Sequence, residues 1–350
     1  MTLSHVKIVG SGLIGTSIGL GLALKGVGIT MSDSDSRAQG LAEDLVKSPS
    51  TAPIDLVIFA TPIGALSSVL NDEFAANPKA GFIDIGSVKS KVKVEVSSSQ
   101  LPLNRFLPSH PMAGREVGGA ESARADLFQG RPWIIDSEGV DSDVLAAGSE
   151  LINLLGGHQV NLDSAAHDKA VALVSHLPQL VSSLLAKQLN GGEEGWLELA
   201  GAGLRDTTRI AGSDSKLWRE IIAANSQALS PLLKALQSDL NSLIASLEDQ
   251  EAVADLIQAG QKGRARIPGK HGGKAREYSY LPIVIDDKPG QLGAIFNECA
   301  AMEVNVEDLN IEHSPGQLSA LITLALSQTD AEKLSLHLSS IGWNVHPIRK

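Results

Sequence analysis

The residues best placed to do chemistry lie in one short stretch, Phe106-Leu107-Pro108-Ser109-His110-Pro111-Met112-Ala113-Gly114-Arg115-Glu116. Prolines at 108 and 111 restrict the backbone around His110 and push the residues before them toward extended geometry. A histidine held this way presents a ring nitrogen in a reproducible direction, as a general base must. The Gly-rich segment that follows, carrying Arg115 and Glu116, reads as mobile. An isolated His-Pro is more often part of a connecting loop. Here the company it keeps decides for chemistry: a dinucleotide-binding start before it and a basic, tryptophan-anchored helix after it.

That later segment runs from Gly203 to Arg219 and carries Arg205, Arg209 and Trp218. Arginines four apart share one face of a helix and repel unless a carboxylate bridges them. Asp206 is one internal partner; in an acidic protein the pair also reads as an anion pocket. His167 and His176 sit among apolar residues, and each alone reads as a satisfied core histidine.

Several elements must position these groups. Val6-Lys7-Ile8-Val9 reads as a buried strand, Gly10-Ser11-Gly12-Leu13-Ile14-Gly15 as a GxGxxG turn, and Thr16 to Lys25 as a helix. Strand, glycines and helix in that order are the dinucleotide fingerprint, with phosphates on the helix N-terminus. A second strand ends at Asp33, where a carboxylate accepts ribose hydroxyls and favours NAD over NADP. Arg37 nearby could instead accommodate a 2′-phosphate, and a helix-capping role for Asp33 stays open. Further strands end at Thr61-Pro62 and at Gly86-Ser87-Val88-Lys89. Ligands gather at such strand ends, so Ser87 and Lys89 are candidate contacts; capping a helix is as good a reading of Ser87. Arg131 to Asp136 reads as another strand and Val144 to Leu155 as a helix, after which the α/β alternation ends.

From His167 to Leu247 the pattern is helical, with apolar stripes at Leu177, Leu180, Val181, Leu184 and Leu185 and from Leu229 to Leu247. An internal core is the default for such stripes, although the second is long enough for an intersubunit face. Gln261 to Arg276, rich in glycine and cations, reads as a flexible linker. Beyond it the order βαββαβ is that of a ferredoxin-like module.

These pieces divide the chain into a Rossmann-type α/β domain (1–160), an all-α domain (161–259), a linker (260–277) and a C-terminal α+β module (278–350). A formal charge of −11 over 350 residues argues against nucleic acid or an anionic membrane as partner. One cysteine, no signal-peptide layout and no uninterrupted apolar run of spanning length lead us to expect a soluble cytoplasmic protein. Nothing in the sequence calls for a metal.

Taken together, the chain resembles the prephenate dehydrogenase family and its arogenate dehydrogenase relatives over residues 5 to 250. The motifs that carry this are Gly10 to Gly15, Asp84-Ile85-Gly86-Ser87-Val88-Lys89, Ser109 to Gly114, His167-Asp168 with Ser175-His176-Leu177-Pro178, and Arg205-Asp206 through Trp218-Arg219. The tail from Tyr278 looks like an ACT domain, with Asp287 to Leu292 in its ligand-loop position. The resemblance implies NAD-dependent oxidative decarboxylation of prephenate in tyrosine biosynthesis, with His110 as base and Ser87 hydrogen-bonding the same region. It gives Arg209 and Arg205 a substrate carboxylate, Glu116 a gate at the pocket mouth, and His176, Gln179 and Trp218 places near the substrate. The helical domain would form a homodimer, and the ACT-like module would bind an aromatic amino acid or serve only as structure. Gln179 stands where some members carry a histidine, which opens arogenate as the alternative substrate. Two rivals on the same fold are a non-catalytic NAD-binding sensor, which predicts loss of His110 or Arg209, and a hydroxyacid dehydrogenase, which gives the His-Pro segment no role.

Overall fold

A computed structural model describes residues 3–349 apart from Glu116, Glu194 and residues 268–277 and 314–317. The chain divides into two compact units, one to Leu240 and one from Asn241.

The first unit begins with β1 (His5–Val9), α1 (Leu13–Ala23), β2 (Gly28–Ser32), α2 (Ser36–Val46), β3 (Leu56–Phe59), α3 (Ile63–Ala76), β4 (Gly81–Asp84), α4 (Ser90–Ser97) and β5 (Phe106–Leu107). Its strands form a parallel sheet in the order β2-β1-β3-β4-β5. These strands are near-continuous apolar runs because helices cover both faces. Leu56 and Ile58 join a core shared with α1 and α2, while Val57 and Phe59 pack with Leu66 and Leu70 of α3 and with Val92 and Val96 of α4. The strand order reverses at β1, which places the glycine turn at the crevice where open α/β sheets bind ligands.

The next strands, β6 (Ser109–Pro111) and β7 (Pro132–Ile135), lie apart from that sheet. They are followed by α5 (Ser142–Leu154) and β8 (His158–Asn161). β6 runs antiparallel to β7, and β7 parallel to β8. His110 therefore sits on a short strand rather than in a loop, and β8 extends the strand pattern past the point where the sequence reading ends it.

The helical part comprises α6 (Ser164–Val171), a π-turn (Ala172–His176), α7 (Leu177–Gln188), α8 (Ala202–Thr208), α9 (Ser215–Ala224) and α10 (Ser226–Ala245). Pro178 lacks the N–H that a continuous α-helix needs, and the wider π-turn sits immediately before it. The continuous helical stretch Ser164–Gly191 is long and apolar enough to span a membrane by length and composition, although it also bears the charged and histidine groups described below. The apolar stripes do not form the internal core expected by default. On α7 the buried residues are the polar Gln179 and Ser182, whereas Val181, Leu184 and Leu185 are exposed. On α10 only Leu229 is buried, and Leu236, Leu240 and Ile244 face outward.

The second unit contains α11 (Gln250–Ala265), β9 (Ser279–Asp286), α12 (Gln291–Ala301), β10 (Asp308–His313), β11 (Ser319–Leu326), α13 (Gln328–Ser340) and β12 (Asn344–Val345). α11 carries regular structure to Ala265, so residues 260–265 are helix and not flexible linker; residues 268–277 of that expected linker lie outside the described residues. The final strands form an antiparallel sheet in the order β10-β11-β9-β12. This is the split βαβ arrangement that a βαββαβ order implies, closed over Ile283, Ile295, Cys299, Ile322 and Leu334.

Candidate active site

The nucleotide end of the site is built by backbone. Gly10 adopts φ +113°, and a Cβ there would lie 2.4 Å from the Ala60 carbonyl oxygen; one on Gly15 would lie 2.0 Å from that of Gly10. Only glycine lets β1 turn this tightly into α1. At Gly12, the N-cap of α1, an added Cβ meets nothing within 4 Å, and no side chain caps the helix. The start of α1 is thus uncapped by any side chain and has open space beside Gly12, as an anion-binding helix start requires.

Asp33 accepts the Ser11 N–H at 2.6 Å and the Asp35 N–H at 2.9 Å. Asp35, not Asp33, caps α2 by accepting the Arg37 and Ala38 N–H groups, which leaves Asp33 facing the glycine turn. Two hydroxyls at these strand ends, Ser11 Oγ and Thr61 Oγ1, are buried and have no hydrogen-bond partner among the described residues. Buried hydroxyls are normally paired. Orphaned donors around an uncapped helix N-terminus are what a polar nucleotide would satisfy, and the glycine turn Gly10 to Gly15, with Ser11, Asp33 and Thr61 around it, has the chemistry such a ligand needs.

His110 is positioned from beneath by its neighbour. Ser109 is fully buried: its N–H donates to Asp84 Oδ1 at 3.2 Å, its hydroxyl to the Asp84 carbonyl at 2.6 Å, and its Oγ accepts Trp133 Nε1 at 3.0 Å. Lys89 Nζ donates to the Ser109 carbonyl at 2.5 Å and forms a buried ion pair with Asp84. Burial pushes the Asp84 carboxyl up and the Lys89 ammonium down, each against the attraction of the other. Lys89 is therefore not the ligand contact expected of it, because its charge is spent inside the protein. Ser87 is partly exposed and does not cap α4, whose N-cap is Lys89, so the capping reading of Ser87 fails.

A chain of polar groups runs behind His110. Its Nδ1 lies 2.9 Å from His167 Nε2, and His167 Nδ1 lies 2.8 Å from Asp168 Oδ1. Asp168 also accepts the N–H groups of Lys89 and Ser90, both at 2.8 Å, and so supplies the cap that α4 lacks locally. Burial tends to raise the Asp168 carboxyl, but the hydrogen bonds from His167, Ser90 and Lys89 outweigh it and hold it low. Burial first, then the adjacent His167 and Lys89, push His110 well below the usual histidine value. His110 is thus neutral at physiological pH and able to accept a proton.

His167 and Asp168 are the residues that sequence reasoning undervalued. Taken singly, a buried histidine is a core residue, and only their distance to His110 shows otherwise. His176 is the core histidine: it is buried, accepts from Asn225 Nδ2 at 3.1 Å and stacks edge-on against Trp218 at 6.0 Å. Asn225 also donates to the Asp168 carbonyl at 2.8 Å. Burial lowers the His176 pKa to about 4. Because its folded value lies below the ordinary 6.5, stability is lost as pH falls from about 6.5 toward about 4.

Gln179 is likewise tied into the protein. Its Nε2 donates to the Ile210 carbonyl at 2.9 Å, and its Oε1 accepts from Ser213 Oγ at 3.4 Å. This holds the short turn Arg209–Gly212 against α7. Arg205, on α8, and Arg209, at the start of that turn, are both exposed. Trp218 is partly buried, packed with Ile63, Val88 and Ile221. Glu116 lies outside the described residues.

A nucleotide-binding α/β domain that presents a neutral, braced histidine beside a helical domain defines an oxidoreductase of the dinucleotide-dependent type. Comparison with known proteins narrows the class. Residues 21–161 match the prephenate dehydrogenase nucleotide-binding domain and residues 163–259 the prephenate dehydrogenase dimerization domain. The probable prephenate dehydrogenase NovF of Streptomyces niveus is 30% identical over 96% of this chain and 98% of its own. Among solved structures, prephenate dehydrogenase from A. aeolicus in complex with hydroxyphenyl propionate and NAD+ aligns with TM-score 0.66 and 25% identity, covering 75% of this chain and 98% of that one. Synechocystis arogenate dehydrogenase aligns with TM-score 0.60 and 26% identity, covering 75% and 100%. The chain belongs to the prephenate dehydrogenase family.

Proposed function

We propose that this chain catalyses the NAD-dependent oxidative decarboxylation of prephenate to 4-hydroxyphenylpyruvate. The observation that carries the proposal is His110, kept neutral by burial and braced from two sides just beyond the carboxyl end of the nucleotide-binding sheet. NAD, when bound, supplies the hydride acceptor. His110 accepts the proton of the ring hydroxyl as carboxylate leaves as carbon dioxide, and Ser87 hydrogen-bonds the same hydroxyl. Arg209, with Arg205 beside it, holds a substrate carboxylate, and Gln179 fixes the turn from which Arg209 projects. Incubation with prephenate and NAD should release carbon dioxide and NADH in equal amounts; NADH without carbon dioxide would overturn the reaction assignment in favour of a hydroxyacid dehydrogenase. The non-catalytic sensor loses its basis, since His110 and Arg209 are both present. Arogenate is the alternative substrate: it differs only at the side chain, and the family likenesses include an enzyme named for it.

NAD preference follows from Asp33, whose carboxylate repels a 2′-phosphate. Asp33→Ser should raise kcat/KM with NADP relative to NAD; an unchanged ratio would remove Asp33 from cofactor selection. Dimerisation through the helical domain is supported by the outward apolar residues of α7 and α10, which a second subunit would cover.

The C-terminal module is proposed as an ACT domain that senses tyrosine or phenylalanine, on the strength of its strand order and of the Asp287 to Leu292 loop. A chain ending after residue 267 should lose any response of turnover to these amino acids. A response that survives the truncation would leave the module a structural role only.

A further inference from the structure

We propose that His167 and Asp168 are positioning residues that hold His110 in the tautomer whose free nitrogen is Nε2. The inference rests on the reading of His110 as the base and assigns two further residues to its action. It follows from the direction of each hydrogen bond in the chain. Asp168 Oδ1 and Oδ2 accept from the backbone N–H groups of Lys89 and Ser90, which have no alternative but to donate. The carboxylate is an acceptor throughout, so His167 Nδ1, 2.8 Å from Oδ1, must be the protonated nitrogen of His167. His167 Nε2 then carries a lone pair. At 2.9 Å it accepts from His110 Nδ1–H, and the remaining lone pair of His110 lies on Nε2. One carboxylate thereby sets the protons of two rings.

The same carboxylate ties this order to the fold. Asp168 caps α4 across 78 to 79 residues of sequence, and its backbone carbonyl is held by Asn225 of the segment between α9 and α10. It cannot rotate to offer His167 another geometry without uncapping a helix. His167 is fully buried, so water does not compete for the contact with His110. The titratable groups around His110 are His167 and Asp168 from α6, His176 from the π-turn, and Lys89 paired with Asp84 from the β4–α4 side.

Asp168→Asn would substitute an amide donor for one carboxylate oxygen. With the amide facing His167 the order reverses: His167 donates from Nε2, His110 accepts at Nδ1, and its proton moves to Nε2. The aspartate-to-asparagine change in the serine protease triad, a known case, acts through such a wrong tautomer. His167→Phe removes the acceptor altogether, whereas His167→Gln can offer a carbonyl oxygen to His110 Nδ1–H.

Two measurements test the assignment. In the ¹⁵N-histidine spectrum of the unaltered protein at pH 8, with His110 assigned by its absence in His110→Asn, His110 should show a protonated Nδ1 and an unprotonated Nε2; the reverse pattern overturns the proposal. In steady-state kinetics with prephenate and NAD, His167→Phe should lower kcat by roughly 10–100-fold, the scale known for outer hydrogen-bond partners of metal-bound histidines. KM for both substrates should change little, and His167→Gln should recover most of the loss. Equal kcat in His167→Phe and the parent, with the same acid limb of the pH profile, also overturns it. A fully active His110→Asn would instead refute the base itself, so the two failures are distinguishable.

Discussion

Replacing His110 with asparagine should lower kcat by roughly 10²–10⁴-fold, the usual scale of general-base catalysis, with little change in KM. Asparagine keeps much of the size and one hydrogen-bonding group but takes up no proton. Because burial and its neighbours hold His110 well below the ordinary histidine value, the parent enzyme should keep its rate as pH falls through 6.5 and lose it only below. That acid limb should vanish in the residual activity of the variant. Arg209→Ala should behave differently, since an anchor grips a carboxylate in ground and transition state alike: KM should rise more than kcat falls. A variant at His110 that raised only KM and kept the acid limb would move the base elsewhere.

The second large effect is on stability. Lys89→Met should destabilise the protein by about 3–5 kcal/mol, the usual cost of stranding one partner of a buried ion pair. Asp84 would remain buried, and the Ser109 carbonyl beside His110 would lose its donor. At roughly 2–4 °C per kcal/mol, Tm should drop by about 6–20 °C. The pH dependence has a definite sign. Without Lys89, burial raises the folded-state pKa of Asp84 further, so folding takes up a proton and the deficit should shrink as pH falls toward the ordinary carboxylate range. Adding Asp84→Asn should restore part of the loss, because no charge is then buried alone. Thermal melts of both variants across pH 4 to 8 measure this; a Tm for Lys89→Met within a degree or two of the parent would show that the pair is not structural.

The nucleotide half of the molecule was legible because its signals are local. A strand, three glycines and a helix occupy consecutive residues, and the demands on Gly10 and Gly15 are steric. The site was legible only in part. His110 stood out through its prolines, yet what fixes it is the hydrogen-bonded Ser109 beneath and His167 behind, contacts across 20 to 57 residues of sequence. Lys89 looked like a ligand contact because it follows a strand end, and burial of an oppositely charged partner five residues earlier is not written in that pattern. The apolar stripes of α7 and α10 showed which residues share a face but not whether that face turns inward; Gln179 turns inward because it tethers the Arg209 turn. The π-turn before Pro178 shifts the helical phase in the middle of that stretch, which periodicity alone does not anticipate.

The most direct test of the function is a comparison of kcat/KM for prephenate and for arogenate, each with saturating NAD, followed as NADH at 340 nm. The account predicts turnover at the ring centre that the two substrates share, with prephenate preferred. A higher kcat/KM for arogenate would contradict the substrate assigned, and turnover of neither would contradict the enzyme.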